Sequence, residues 1–170
     1  MAPDIFTIPS DHIRIVPPDV SASKDTLLAH LVQTLAAAYR WPDAPARLDR
    51  VLRREALGTS GIGGHLAVLS PGVRRDEDVA TAHPVGDLWF FLIPAGIDLE
   101  AIDAEPVHVV ACPVFRHPWR RNGCYPEMST FMSCWATVSR EQTAALSRMT
   151  AETAAGWLTE MFANPVELER

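Results

Sequence analysis

Arg54 and the segment 59–64 (TSGIGG) place a guanidinium beside a glycine-rich turn, a set of groups that can hold an anion. Glycines let backbone N–H groups approach a ligand closely, so Gly61, Ile62 and Gly63 are candidate donors and Arg54 the candidate counter-charge. The competing reading is a tight helix-to-strand turn in which glycines supply positive φ, with Arg54 in a surface ion pair. Ser70 ends the apolar run that follows the turn. His65 and His83 are candidate acceptors for a transferred group, since neutral imidazole is a nucleophile near pH 7. His65 lies five residues before Ser70 on the same predicted strand, and odd spacing puts the two on opposite faces. It can equally be an ordinary strand histidine, and His83 falls in a loop that could fold back over the site.

Other chemistries fit less well. His108 and Cys112 share a face of a predicted strand but stand too far apart along it to chelate, so no metal site is expected. Ser60 lacks the G-x-S-x-G frame of a hydrolase nucleophile, and TSGIGG lacks the Gly-Lys-Ser/Thr ending of a P-loop. His117 and Trp119, in HPWRR, suit a partner-docking surface. No cofactor is implied.

The elements that must carry these groups are legible. His12 to Val16 alternates and stops at Pro17, which predicts a short strand. Ser23 caps a helix running to about Arg40, with Leu27, Leu28, Leu31, Val32 and Leu35 at helical spacing. Asp43 caps a second helix, whose apolar face is Leu48, Val51, Leu52 and Leu57 and whose stop is Gly58, read as a positive-φ residue. His65 to Leu69 reads as a strand, Leu88 to Ile93 (LWFFLI) as a strand buried on both faces, and Val107 to Phe115 as another whose pairing ends at Pro113. Met128, Phe131, Trp135 and Val138 mark a helix. Ser139 with Gln142 forms a capping box for the next, and Thr150 caps a last helix carrying Trp157, Leu158, Met161 and Phe162. Residues 71–86 and 116–125 are long irregular segments.

A chain of 170 residues, 48% hydrophobic and 21% charged, suits one soluble domain spanning 1–170. Mixed helices and buried strands argue for a layered α/β fold. The net charge of −6 argues against a nucleic-acid partner. No stretch has signal-peptide form or membrane-spanning length. Three cysteines without paired spacing fit reduced thiols and a cytoplasmic location.

Three segments in order, VSASKDTLLAHLVQTLA, LRREALGTSGIGG and IDAEPVHVVACPVF, together resemble the type 2 Enzyme IIA domain of the bacterial sugar phosphotransferase system. This fructose/mannitol class includes the nitrogen-regulatory IIA proteins. The resemblance covers most of the chain and implies a mixed central sheet between helical layers. It also implies partners: the carrier HPr, a IIB domain and, for nitrogen-regulatory relatives, kinases or transporters. In that family a histidine after a proline accepts the phosphoryl group. Here Leu69 and Ser70 hold that Pro-His position, and Arg54, Gly61, Ile62 and Gly63 match the family arginine and turn. Ala104 replaces the glycine of the Asp-Gly-x-Pro-Val strand entry, and the second family histidine falls near Glu127. Serine cannot carry the relay: its pKa is far higher, and a phosphoserine ester lacks the transfer potential of phosphohistidine.

The resulting expectation is a IIA-like regulatory or binding module that no longer relays phosphate through histidine and still binds a small anion. The alternatives are an active phosphocarrier using His65 or His83, and a small-ligand-binding protein with a pocket lined by Trp89 or Trp119.

Overall fold

A computed structural model describes residues 8–71, 86–115 and 126–163 of the chain. Helix α1 (Lys24–Tyr39) starts where Ser23 Oγ accepts the Thr26 N–H at 3.2 Å. Leu27, Leu28, Leu31, Val32 and Leu35 form its buried face, and it ends at Arg40 in the left-handed region (φ 52). Helix α2 (Ala44–Leu57) departs from the expected pattern at both ends. Asp43 occupies the N-cap position, but its Oδ1 accepts from Arg47 Nε rather than from the helix amides. Leu57 is 88% exposed, so the buried face consists of Arg47, Val51 and Glu55, spaced four apart, with Leu48 and Leu52 at its margin. Gly58 is extended (φ 172) rather than left-handed, so the helix stops without using glycine's special freedom.

Strands β1 (Ile13–Ile15), β2 (Gly61–Gly63), β3 (Leu66–Val68), β4 (Gly86–Ile97) and β5 (Val107–Phe115) form one mixed sheet in the order β1-β4-β5-β3-β2. The β1/β4 and β3/β5 pairs are parallel, and β4/β5 and β2/β3 are antiparallel. Strand β4 buries both faces, as its unbroken apolar run predicts. Trp89, Phe91 and Ile93 pack with α1 and α2, whereas Leu88, Phe90 and Leu92 pack on the other side. That second layer is built from helices α3 (Pro126–Trp135), α4 (Arg140–Leu146) and α5 (Ala151–Ala163), through Phe131, Trp135, Leu146, Leu158 and Phe162. The result is the three-layer α/β/α arrangement with helices on both faces of the sheet. Ser139 and Gln142 make the complete capping box of α4, and Thr150 Oγ1 accepts the Thr153 N–H at 3.2 Å ahead of α5.

Pairing in β5 does not end at Pro113. It continues opposite Leu88 at Pro113 and opposite Gly86 at Phe115. The physical reason is direction. The Ala111 carbonyl points to the β3 side, where it accepts the Leu69 N–H, and residues two apart point the same way. The missing N–H of Pro113 therefore falls on the β3 side, past the last registered pair, Val68 with Ala111, and costs no bond to β4. His65 also differs from expectation. It is a turn residue at φ 66 before β3, so the alternation argument relating it to Ser70 does not apply.

Candidate functional site

The sheet topology gathers one set of groups at one edge. Strands β3 and β5 end there, and β1 and β4 begin there. Ser70 follows β3, and its Oγ donates to the Pro113 carbonyl at 3.2 Å. Pro71 is buried, and its carbonyl lies 3.4 Å from Arg47 Nη1. Arg47 is itself buried: its Nε donates to Asp43 Oδ1 at 2.9 Å, and its guanidinium carbon lies 3.8 Å from the centroid of the Trp41 ring. Tyr39 stacks on Trp41 and donates its hydroxyl to Asp87 Oδ2 at 2.6 Å, while accepting from Trp89 Nε1 at 2.8 Å. Asp87 is buried near the start of β4, so this chain of bonds ties α1 to the strand edge beside Ser70.

Arg47, Asp87, Tyr39 and Trp41 were not among the residues singled out by the sequence. Arg47 had one readable signal: it stands on the same α2 stripe as Val51 and Glu55, an arginine in a core-facing position. The Tyr39 contact with Asp87 spans 48 residues and leaves no local trace.

Imidazoles stand elsewhere. His12, before β1, stacks on Trp89 with ring centroids 4.3 Å apart, and burial pushes its pKa down against the pull of Asp87. Its backbone leads into β1, which β4 and β5 separate from β3, and its ring rests on Trp89 of β4. His65 sits at the opposite end of β3 from Ser70 and bonds through Nδ1 to the Pro106 carbonyl at 2.7 Å. Among the described residues, no histidine or carboxylate is hydrogen-bonded to Ser70. His83, Trp119 and the loops expected over 71–86 and 116–125 lie almost wholly outside the described residues. Glu127, near which the resemblance sets the second family histidine, falls in the first turn of α3.

The glycine-rich segment is anchored from within the protein. Glu55 accepts from the Ser60 N–H at 3.0 Å and from Ser60 Oγ at 2.5 Å. Gly61 N–H donates to Thr59 Oγ1, and Gly64 N–H donates to Asp103 Oδ2, both at 2.9 Å. A Cβ on Gly61 would meet Ala101 at 2.7 Å, so that glycine is required by close backbone approach. Ile62 lies at the sheet edge, and Gly63 (φ 91) sits against the Asp103 carboxylate. Two turn amides thus serve a hydroxyl and a carboxylate of the chain itself. Arg54 is exposed, and its Nη1 donates to the Gly58 carbonyl at 2.8 Å, closing the end of α2. Arg54 and Ser70 share no contact here, and Trp89 is packed in the core rather than lining a pocket.

The mixed five-stranded sheet with helices on both faces is a fold shared with solved phosphotransferase IIA proteins. No family model and no curated protein sequence matches the chain. Among solved structures, the nitrogen regulatory protein IIA-Ntr from Neisseria meningitidis superposes with a TM-score of 0.59 at 16% identity, covering 92% of this chain and 96% of that one. IIA mannitol from Escherichia coli gives 0.63 at 16% identity, covering 92% and 99%. The complex of IIA mannitol with phosphorylated IIB mannitol from the same organism gives 0.64 at 15% identity, covering 92% and 97%. At these identities the likeness is one of fold. Among the described residues, no helix is long and apolar enough to cross a membrane.

Proposed function

We propose that this chain is a IIA-like protein-binding module that does not pass a phosphoryl group through histidine. The observation that carries the reading is the environment of Ser70. Its hydroxyl is spent on a backbone carbonyl, and no described histidine or carboxylate is hydrogen-bonded to it to activate it. The surrounding groups are bonded to the protein itself: Arg47 secures the Pro71 carbonyl, and Tyr39 holds the Asp87 carboxylate. The fold likeness supports this partner class, since one of the superposed structures is a IIA bound to a phosphorylated IIB. A IIB-like or HPr-like protein is therefore the first partner to test, with a kinase or transporter next.

The experiment is a titration of labelled protein with HPr and with IIB, each phosphorylated and unphosphorylated, followed by NMR shifts. Binding without phosphoryl transfer, with shifts centred on Ser70, Asp87 and Arg47, supports the reading. Transfer to any residue sinks it. A retained small-anion role for Arg54 with Gly61, Ile62 and Gly63 belongs to the same proposal. It requires the Arg54 guanidinium to leave Gly58, and a phosphate titration of Arg54→Ala against the parent protein tests it.

A further inference from the structure

His12 carries a ring nitrogen that has no place for a proton. The ring lies flat on Trp89, with centroids 4.3 Å apart and planes 15° apart. Its Nδ1 is sealed from solvent and, among the described residues, has no hydrogen-bond partner. A charged ring needs an N–H on that nitrogen as well as on Nε2, and a buried N–H without an acceptor carries its full desolvation penalty. The charged ring therefore has a reason to leave this position, and the neutral ring does not.

A place for it to go stands on the same face of the sheet. Ile13 is in register with Phe90, so His12 arrives beside Trp89, and Asp87 lies two residues before Trp89 on β4. Burial lowers the His12 pKa, and the Asp87 carboxylate is the largest pull the other way. Asp11 and the Leu88 backbone add to that pull, and Arg14, whose guanidinium carbon lies 5.5 Å from the Trp89 ring centroid, opposes it. Helix α5, which packs against the turn holding His12, carries its acids Glu152 and Glu160 at exposed positions. The Asp87 carboxylate is served by the Tyr39 hydroxyl at 2.6 Å, which also accepts from Trp89 Nε1 at 2.8 Å. A hydroxyl is a neutral donor, and an imidazolium makes the stronger, charge-assisted bond to a carboxylate.

We propose that His12 is a pH-responsive switch of this sheet edge: on taking up a proton from solvent it turns from Trp89 toward Asp87 and displaces the Tyr39 hydroxyl. One state has neutral His12 on Trp89 and Tyr39 on Asp87, and the other has charged His12 on Asp87. Asp87 is in register with Val114, next to the Pro113 carbonyl that takes the Ser70 hydroxyl, so the change reaches the candidate site. The switch needs no partner protein and no phosphoryl donor, and it is independent of the reading given to Ser70.

The test is an NMR titration of the full chain from about pH 8 to about pH 5, reading the His12 ring protons, the Trp89 indole N–H and the Asp87 amide. The three signals are expected to move together, with one midpoint below the ordinary 6.5. His12→Phe keeps a flat ring over Trp89 and cannot titrate, so the Trp89 and Asp87 shifts at that midpoint are expected to vanish. Tyr39→Phe removes the competing hydroxyl and is expected to move the midpoint upward. The proposal is overturned by Trp89 and Asp87 signals that stay still while His12 titrates, by the same midpoint in His12→Phe, or by an unmoved midpoint in Tyr39→Phe. A His12 ring that does not titrate above about pH 5 overturns it too. If a variant fails to fold, the parent decides: nuclear Overhauser contacts between the His12 and Trp89 rings that persist unchanged once His12 is protonated overturn it.

Discussion

Glu55 and Ser60 are locked to each other at three points: both carboxylate oxygens lie 3.0–3.1 Å from the Ser60 amide, and Oε2 is 2.5 Å from its hydroxyl. Lys24, the only lysine in the chain, adds its ammonium at 3.3 Å from Oε1. The last turn of α2, the start of α1 and the glycine-rich segment therefore meet on one buried carboxylate. Glu55→Ala would leave the Ser60 donors unpaired in the interior. The expected loss is about 3 kcal/mol in urea unfolding, against about 1 kcal/mol for Ser60→Ala, which keeps the amide bond.

Arg47 is expected to resist conservative replacement. Its flat guanidinium lies on Trp41 while reaching Asp43 and Pro71 at once, which an ammonium cannot do. Arg47→Lys is predicted to cost about 2 kcal/mol and to change tryptophan fluorescence, with Pro71 and Ser70 showing the largest NMR shifts. Arg54→Ala, by contrast, removes an exposed contact to Gly58 and is expected to change stability by about 0.5 kcal/mol or less.

Stability should fall on the acid side of neutrality. Burial holds the pKa of both His12 and His108 below the ordinary 6.5. The unfolded chain therefore binds these protons first as pH drops. The contribution is complete above about 6.5 and is lost as pH falls from there toward the lowered values. Urea midpoints at about pH 7.5 and about pH 5.5 measure it, and His108→Ala should shrink the difference. The half-buried Asp103 and exposed Glu141 carboxylates, whose pKa values are lowered mainly by backbone N–H groups, act only further down, in the ordinary carboxylate range.

The thiols of Cys112 and Cys134 are expected to be inert in the folded protein. Both are buried, and burial pushes both pKa values up, Cys112 by far the more. Little thiolate then exists at neutral pH. Alkylation with iodoacetamide, mapped by peptide mass, should leave both unlabelled until denaturant is added.

The parts of the fold that rest on near neighbours were readable. The Ser23 cap, the capping box of Ser139 and Gln142, and the bounds of β5 each depend on residues a few positions apart or on an unbroken apolar run. What failed was set by tertiary placement. Pro113 keeps its place in β5 only because β3 has already ended on the side of its missing N–H. His65 looked like strand and is a left-handed turn because its carbonyl must serve both His108 and Val109. Leu57 looked like core because it follows helical spacing, yet α2 turns Arg47 and Glu55 inward instead. Ser70 was singled out only as the position that the resemblance aligns with the family's phospho-acceptor histidine. Its neighbours were not, since Asp87 and Pro113 arrive from distant strands.

The central claim is that no histidine in this chain relays a phosphoryl group. The direct measurement is incubation with Enzyme I, HPr and labelled phosphoenolpyruvate, with the label then challenged by acid and by base. The account predicts no label on the protein while HPr is labelled fully in the same tube. Acid-labile label on this chain would contradict it and would mean that an imidazole has taken over, to be located by replacing His65 and His83 one at a time. Acid-stable, base-labile label would place phosphate on a hydroxyl, with Ser70 the first to examine, and would contradict the inert environment described for it.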